Sequence, residues 1–149
     1  MVNAALIGFG WWGKNLAKAI ESDHSKIRFT RIITKELGDA QEYCQAHQIQ
    51  LSDDYQSALT DPSIAAVALA TPHSMHAEQI IAAAKAGKHV FCEKPLSLTY
   101  DEALFAVKAC ESANVLLGIG HERRFESAII SMEFGRVTEV ELNSIDFSL

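Results

Sequence analysis

Cysteine is scarce and odd in number: Cys44, Cys92 and Cys110 are the three in 149 residues, with no CxxC spacing among them. This suits reduced thiols in a cytoplasmic protein better than a disulfide framework or a zinc site. Basic charge is also short, with 13 Lys and Arg against 19 Asp and Glu and a net charge of −6. Wrapping nucleic acid requires clustered cations to neutralise phosphates, so no nucleic-acid partner is expected. The charges are interspersed, and no basic block is present to hold an anionic membrane. No apolar run approaches the roughly 18 to 20 residues of a membrane span. The apolar start, Met1 to Trp12, lacks a basic leader and is broken by Gly8 and Gly10, so it reads as a strand and turn rather than a signal peptide.

What is present is an ordinary core composition, 48% hydrophobic and 21% charged, in a chain about one domain long. Apolar runs suited to strands covered on both faces fall at Val2 to Ile7 and Ile64 to Ala70; Ile27 to Thr34 is β-branched and roughly strand-like, and Lys88 to Cys92 and Val115 to Ile119 read as further strands. Between them lie helical patterns at Lys14 to Glu21, Gly38 to Gln48, Tyr55 to Leu59 and Ser74 to Ala86, the last with Gly87 in the place of a left-handed cap. Thr99 to Glu102 is a capping box that opens a helix running to about Ser112. Alternating strands and helices predict an α/β fold, a doubly wound parallel sheet of βαβ units. Its ligand crevice is expected at the carboxyl ends of the strands.

From about His121 the alternation stops. A short helix from Phe125 to Met132 and one strand within Arg136 to Phe147 are expected there. A lone strand must pair with the same or another chain, which makes a homo-oligomer an open expectation. The division expected is 1–120 for the sheet domain and 121–149 for a junction helix and a first strand of something further.

Gly8-Phe9-Gly10-Trp11-Trp12-Gly13 is a GxGxxG that follows a strand and opens a helix. In this setting Gly8 permits the tight turn, Gly10 lets a pyrophosphate approach the backbone, and Gly13 allows close helix–strand packing. The helix that follows offers unpaired N–H groups to the phosphates. Phe9 belongs to the same turn; Trp11 and Trp12 either pack there or border the ligand. A dinucleotide is therefore expected. At the end of the second strand, where a carboxylate would hold the ribose of NAD, stand Thr34 and Lys35, with Glu36 beyond. A hydroxyl followed by a cation favours the 2′-phosphate of NADP(H). NAD(H) is the alternative, with Lys35 solvated and Glu36 reaching the ribose.

Two further segments carry a family resemblance. Ala70-Thr71-Pro72-His73-Ser74-Met75-His76 and Gly87-Lys88-His89-Val90-Phe91-Cys92-Glu93-Lys94-Pro95-Leu96, together with the glycine turn, closely resemble the glucose–fructose oxidoreductase/inositol dehydrogenase/rhizopine-catabolism (Gfo/Idh/MocA) family. Gly120 to Phe125 resembles the point where that family leaves its Rossmann domain. The resemblance implies NAD(P)-dependent hydride transfer at a carbinol carbon of a sugar, inositol or similar polyol. It implies that Lys94 is catalytic and also touches the cofactor, an ammonium suited to stabilising developing alkoxide charge. It further implies that Glu93 sits beside the nicotinamide and its ribose, that Thr71 and Pro72 line the cofactor, that His73 and His76 stand at the same edge, and that the Lys94–Pro95 peptide is cis. His73 departs from the asparagine common in the family. Glu126-Ser127 stands where a proline commonly follows, and Phe125 to Gly135 is shorter than the family helix.

The family's C-terminal α+β domain, with its catalytic histidine and substrate pocket, is represented by no more than its start. His121 does not match that histidine by position.

His73 and His76 are three apart, but no further ligands with suitable spacing accompany them, so no metal is expected. His76 also reads as packing at the crevice edge or as a helix cap. His24 and His47 read as surface residues, and Asp53-Asp54 as the introduction to a helix. Two other functions stay open: a noncatalytic NAD(P)-binding or interaction module, and a Rossmann dehydrogenase of another family acting on amino-acid precursors.

Overall fold

The computed structural model describes residues 1–22 and 26–121. The order is β1 (Val2–Ile7), α1 (Trp11–Ser22), β2 (Ile27–Ile33), α2 (Leu37–His47), β3 (Gln50–Ser52), α3 (Tyr55–Thr60) and β4 (Ala66–Leu69). A single 3₁₀ turn (His73–Met75) leads into α4 (His76–Lys85), followed by β5 (His89–Glu93), α5 (Tyr100–Ser112) and β6 (Leu117–Gly120). The strands lie in one sheet in the order β3-β2-β1-β4-β5-β6. Pairings β3–β2, β2–β1, β1–β4 and β4–β5 are parallel, with Leu6 between Ile32 and Ala68 at the centre. The expected doubly wound α/β sheet is what the chain forms. The junction helix and trailing strand expected from Phe125 onward lie outside the described residues.

Both faces of β1 are buried, and its side chains alternate between two cores. Ala5 and Ile7 join Leu69, Ile80, Ala83 and Cys110 under α3, α4 and α5. Ala4 and Leu6 join Ile32, Ala17, Ala40 and Cys44 under α1 and α2. This double cover explains why the strand is an unbroken apolar run. The three cysteines are free and buried, and burial pushes each thiol up, that of Cys92 to about 12.

Local signals set several boundaries. Thr99 caps α5 by accepting the Glu102 N–H at 3.3 Å. Gly87, at φ 71°, ends α4 in the left-handed conformation that glycine adopts without strain. The structure also departs from the sequence pattern. β3 has three residues, two of them polar, too few to show a period. The expected strand from Ile64 begins at Ala66, because the Ile64 N–H turns back to the Asp61 carbonyl. α1 starts at Trp11, three residues before the expected start at Lys14.

The β1–α1 turn is held by main-chain contact. Gly8 has φ +91°, and a Cβ there would stand 2.5 Å from the Ala70 carbonyl oxygen. A Cβ on Gly13 would stand 2.2 Å from the Gly8 carbonyl oxygen. Backbone cannot give way as a flexible side chain can. Gly13→Ala is therefore expected to cost about 1–3 kcal/mol by overpacking, read as a lower Tm.

At the amino-terminal side of the sheet, the Asp61 carboxylate accepts from the Ser63 hydroxyl at 2.7 Å, the Ser63 N–H at 2.8 Å and the Arg31 guanidinium at 2.8 Å. The Ser63 hydrogen bonds, with Arg31 and Lys88 behind them, hold the Asp61 carboxyl below the usual carboxylate range. A lowered folded pKa means that this stabilisation is complete above the ordinary Asp value and fades as pH falls through the lower one. Asp61→Asn should lower Tm near neutral pH, with the gap to the parent chain closing on acidification.

Candidate active site

The sheet order reverses between β1 and β4, and the carboxyl ends of those strands open a crevice there. Two hydrogen bonds extend the ladder to its floor: Gly8 N–H to the Ile33 carbonyl at 2.8 Å, and Ala70 N–H to the Ile7 carbonyl at 2.8 Å. A cleft of about 630 Å³ lies above them. Gly8, Phe9, Gly10, Thr34, Lys35, Thr71 and Pro72 line it, together with Glu36, Asp53, Asp54, Tyr55, Met75 and Gln79. Seven of the residues expected from sequence are thus brought to one wall. Gly13, Trp11, Trp12, His73, His76, Glu93 and Lys94 are not part of that lining.

The three glycines of the turn differ in their reason for being glycine. Gly8 and Gly13 have no room for a Cβ, but Gly10 has neither a left-handed φ nor any heavy atom within 4 Å of where a Cβ would stand. Nothing among the described residues requires glycine there. What the missing side chain leaves is bare main chain facing the cleft, beside the first turn of α1, whose N–H groups lack helical partners. An anionic group that lies on backbone fits this arrangement, as the pyrophosphate of a dinucleotide does.

Phe9 is buried and packs against Tyr43, with ring centroids 5.0 Å apart, so it supports the turn from beneath as well as lining the cleft. Trp11 and Trp12 meet edge to face and remain 71% and 37% exposed at the start of α1. At the β2 end, Thr34 is buried and its hydroxyl accepts the Glu36 N–H at 3.3 Å. Lys35 is exposed, and its ammonium donates to the Asp53 carbonyl at 3.1 Å. Asp54 caps α3 by accepting the Gln56 N–H at 2.9 Å, as the paired aspartates suggested.

On the other side, β5 ends in buried Glu93 and half-buried Lys94, and the Lys94–Pro95 peptide is cis. His73 is exposed in the 3₁₀ turn, with its ring 5.6 Å from that of His76. His76, which the resemblance set at the cofactor's edge and the residues alone read as packing there, lies inside the protein. It is 0% exposed, and its Nδ1 and Nε2 lie 2.8 Å and 2.9 Å from the carbonyl oxygens of Pro95 and Thr71. An enclosed ring whose nitrogens both face protein carbonyls presents no edge to the cleft. Among the described residues, no group of three His, Cys, Asp or Glu is placed to hold a metal ion.

Sequence reasoning missed Gln79 and Tyr55. The Thr71 hydroxyl donates to Gln79 Oε1 at 2.5 Å, and the Tyr55 hydroxyl donates to the Gln79 carbonyl at 2.9 Å. The available signal was a glutamine on the inward face of an alanine-rich helix, three residues after His76.

Known proteins agree with this geometry. The chain is 35% identical over 131 residues to 2,7-anhydro-N-acetylneuraminate hydratase of Escherichia coli K12, covering 87% of this chain and 34% of that protein. It is 33% identical over 128 residues to scyllo-inositol 2-dehydrogenase (NAD(+)) of Bacillus subtilis 168, covering 85% of this chain and 37% of that protein. The chain thus spans about a third of the length of these curated relatives. Among solved structures, the WlbA dehydrogenase from Bordetella pertussis, in complex with NADH and UDP-GlcNAcA, superposes with a TM-score of 0.83 at 26% identity, over 89% of this chain and 41% of that one. Residues 2–121 match the profile GFO_IDH_MocA, described as the oxidoreductase family with an NAD-binding Rossmann fold, and the chain belongs to that family.

Proposed function

We propose that this chain holds the nicotinamide dinucleotide of an oxidoreductase that moves hydride to or from a carbinol carbon of a sugar, inositol or similar polyol. The observation that carries this reading is Gly10, a glycine that no packing or dihedral requirement inside the protein explains. The pyrophosphate would lie on the Gly8–Gly10 backbone and the first N–H groups of α1. The adenosine ribose would meet Thr34 and Lys35, and the nicotinamide half would face Thr71, Pro72 and Glu93. The bound dinucleotide supplies the hydride donor or acceptor. Lys94 is the residue we assign to the reacting oxygen, where its ammonium stabilises alkoxide charge and holds the shared proton. Residues 1–120 would form this dinucleotide-binding part, and 121–149 the start of the substrate domain.

The sugar or polyol class rests on the relatives: one is named for an inositol, one for an anhydro sugar acid, and the WlbA structure contains a nucleotide sugar. The hydratase among them favours a second reading, in which the overall reaction adds or removes water rather than ending in net oxidation.

Between the two dinucleotides, Thr34 and Lys35 favour NADP(H), because the exposed ammonium stands on the cleft wall with N–H groups beyond its single bond to Asp53. Glu36, Asp53 and Asp54 on the same wall favour NAD(H), whose ribose diol carries no charge for them to repel.

Three measurements test the proposal. Titration of NADPH and NADH into the purified chain, followed by energy transfer from tryptophan, should give tighter NADPH binding. Lys35→Asp should then weaken NADPH by about ten- to a hundredfold and leave NADH nearly unchanged. Tighter NADH binding by the parent chain would instead assign the ribose to the carboxylates. Gly10→Ala should keep its Tm and lose dinucleotide affinity; unaltered binding would remove the central observation. With a panel of inositols and hexoses as substrates, Lys94→Met should lower kcat by about a hundredfold or more while dinucleotide affinity holds. Tight dinucleotide binding with no turnover of any polyol by the parent chain would favour a noncatalytic binding module.

A further inference from the structure

Two loops meet at the reacting end of the proposed site. One follows β4 and brings Thr71 and Pro72 to the cleft wall. The other follows β5 and carries Lys94 and Pro95. Both hang from strands whose hydrogen-bonded ladder has ended, so the sheet itself no longer fixes their separation. Between them, at the first residue of α4, stands His76, wholly enclosed, with Nδ1 2.8 Å from the Pro95 carbonyl oxygen and Nε2 2.9 Å from the Thr71 carbonyl oxygen. Carbonyls only accept, so each ring nitrogen that bonds here must carry its hydrogen. The neutral ring donates to one carbonyl at a time; the imidazolium donates to both. Gln79, three residues along the same helix, takes the Thr71 side chain through its amide oxygen at 2.5 Å. The opening of α4 therefore holds the Thr71 side chain through Gln79 and sets the two nitrogens of one ring against the Thr71 and Pro95 carbonyls.

We propose that His76 is a positioning residue that spaces the cleft-lining Thr71 loop from the Lys94 loop, and thereby places Lys94 against the nicotinamide half of the bound dinucleotide. This inference rests on the dinucleotide reading above. A histidine present merely to fill the core would serve as well with its nitrogens bonded anywhere. Here the two nitrogens face the two segments that must keep their distance, Nδ1 toward Pro95 and Nε2 toward Thr71, and the one that carries the hydrogen donates. A phenylalanine would fill the space and hold neither.

The test uses three variants. His76→Phe removes both donors. His76→Asn keeps an N–H near the Nδ1 position, toward Pro95, and His76→Gln keeps one near Nε2, toward Thr71. For each, Tm is measured along with affinity for the tighter-binding dinucleotide and for ADP. ADP carries the adenosine and phosphate groups but lacks the nicotinamide, so the β4 and β5 loops do not enter its binding. The expected result is a selective loss. In His76→Phe, dinucleotide affinity falls by about tenfold or more while ADP affinity holds, with His76→Asn and His76→Gln in between. If His76→Phe does not melt cooperatively, the two amide variants, each retaining one arm, carry the same comparison.

A ratio of dinucleotide to ADP affinity that stays at its parent value in folded variants, whatever happens to Tm, overturns the positioning role and leaves the dinucleotide reading intact. A parent chain that binds neither ligand overturns the dinucleotide reading and this inference with it.

Discussion

The carbonyl oxygen of Gly8 occupies the place where a side chain on Gly13 would have to go, and the carbonyl of Ala70 does the same to Gly8. Three segments, the end of β1, the start of α1 and the end of β4, are thus stacked main chain on main chain. Everything at the crevice depends on this stack. It sets how close α1 approaches the sheet, and so where its unpaired N–H groups point. It also joins β1 to β4 at the position where the strand order reverses, which is where a parallel sheet of this kind opens. Gly10 stands at the edge of the stack but outside it, which is why its bare backbone is available to something else.

The two halves of the cleft are built differently. At the β2 end an exposed ammonium and a buried hydroxyl stand on a short connection, Lys35 bonded to the Asp53 carbonyl and Thr34 to the Glu36 N–H. At the β4 and β5 end the polar groups are buried or partly buried and meet at one helix, where Gln79 accepts from Tyr55 and Thr71 and the His76 nitrogens face the Thr71 and Pro95 carbonyls. Solvated charges can be exchanged at little cost to the fold, whereas a buried polar network loses more when one member is removed. The β2 end is therefore the part of the cleft that tolerates change, and the β4 and β5 end the part that does not.

The same contrast decides what the sequence reveals. β1 and β4 are legible because cover on both faces forces an apolar run, and α5 because Thr99 announces its start. β3 is invisible, since three residues with two polar ones hold no pattern. GxGxxG points to the crevice, but three identical letters conceal three different causes: a left-handed turn at Gly8, a backbone contact at Gly13 and open space at Gly10. Lys35 is readable as a charge at a known distance from the turn, while its tether to the Asp53 main chain is not, because a carbonyl acceptor leaves no trace in a sequence. His76 misleads for the same reason. Its partners are two carbonyls, 5 and 19 residues away, so a histidine at the crevice edge resembles a ligand-facing residue until its burial is known.

Polarity on the inward face of a helix carries a meaning that composition hides. α4 is an alanine-rich helix whose buried side consists of His76, Gln79, Ile80, Ala83 and Ala84. The apolar residues of that face lie in its later turns, against the sheet; the polar pair lies in its first turn, beyond the strand ends. Sheet packing asks for no hydrogen bonds, because the strands satisfy their own main chain. Loops leaving the strands do not, and the helix that reaches past them must supply partners, a donor from His76 and an acceptor from Gln79. The change from polar to apolar along one helix face therefore marks where the sheet stops and the crevice begins. His76 and Gln79 belong to the crevice for that reason, although neither nitrogen of the histidine is left to touch a ligand.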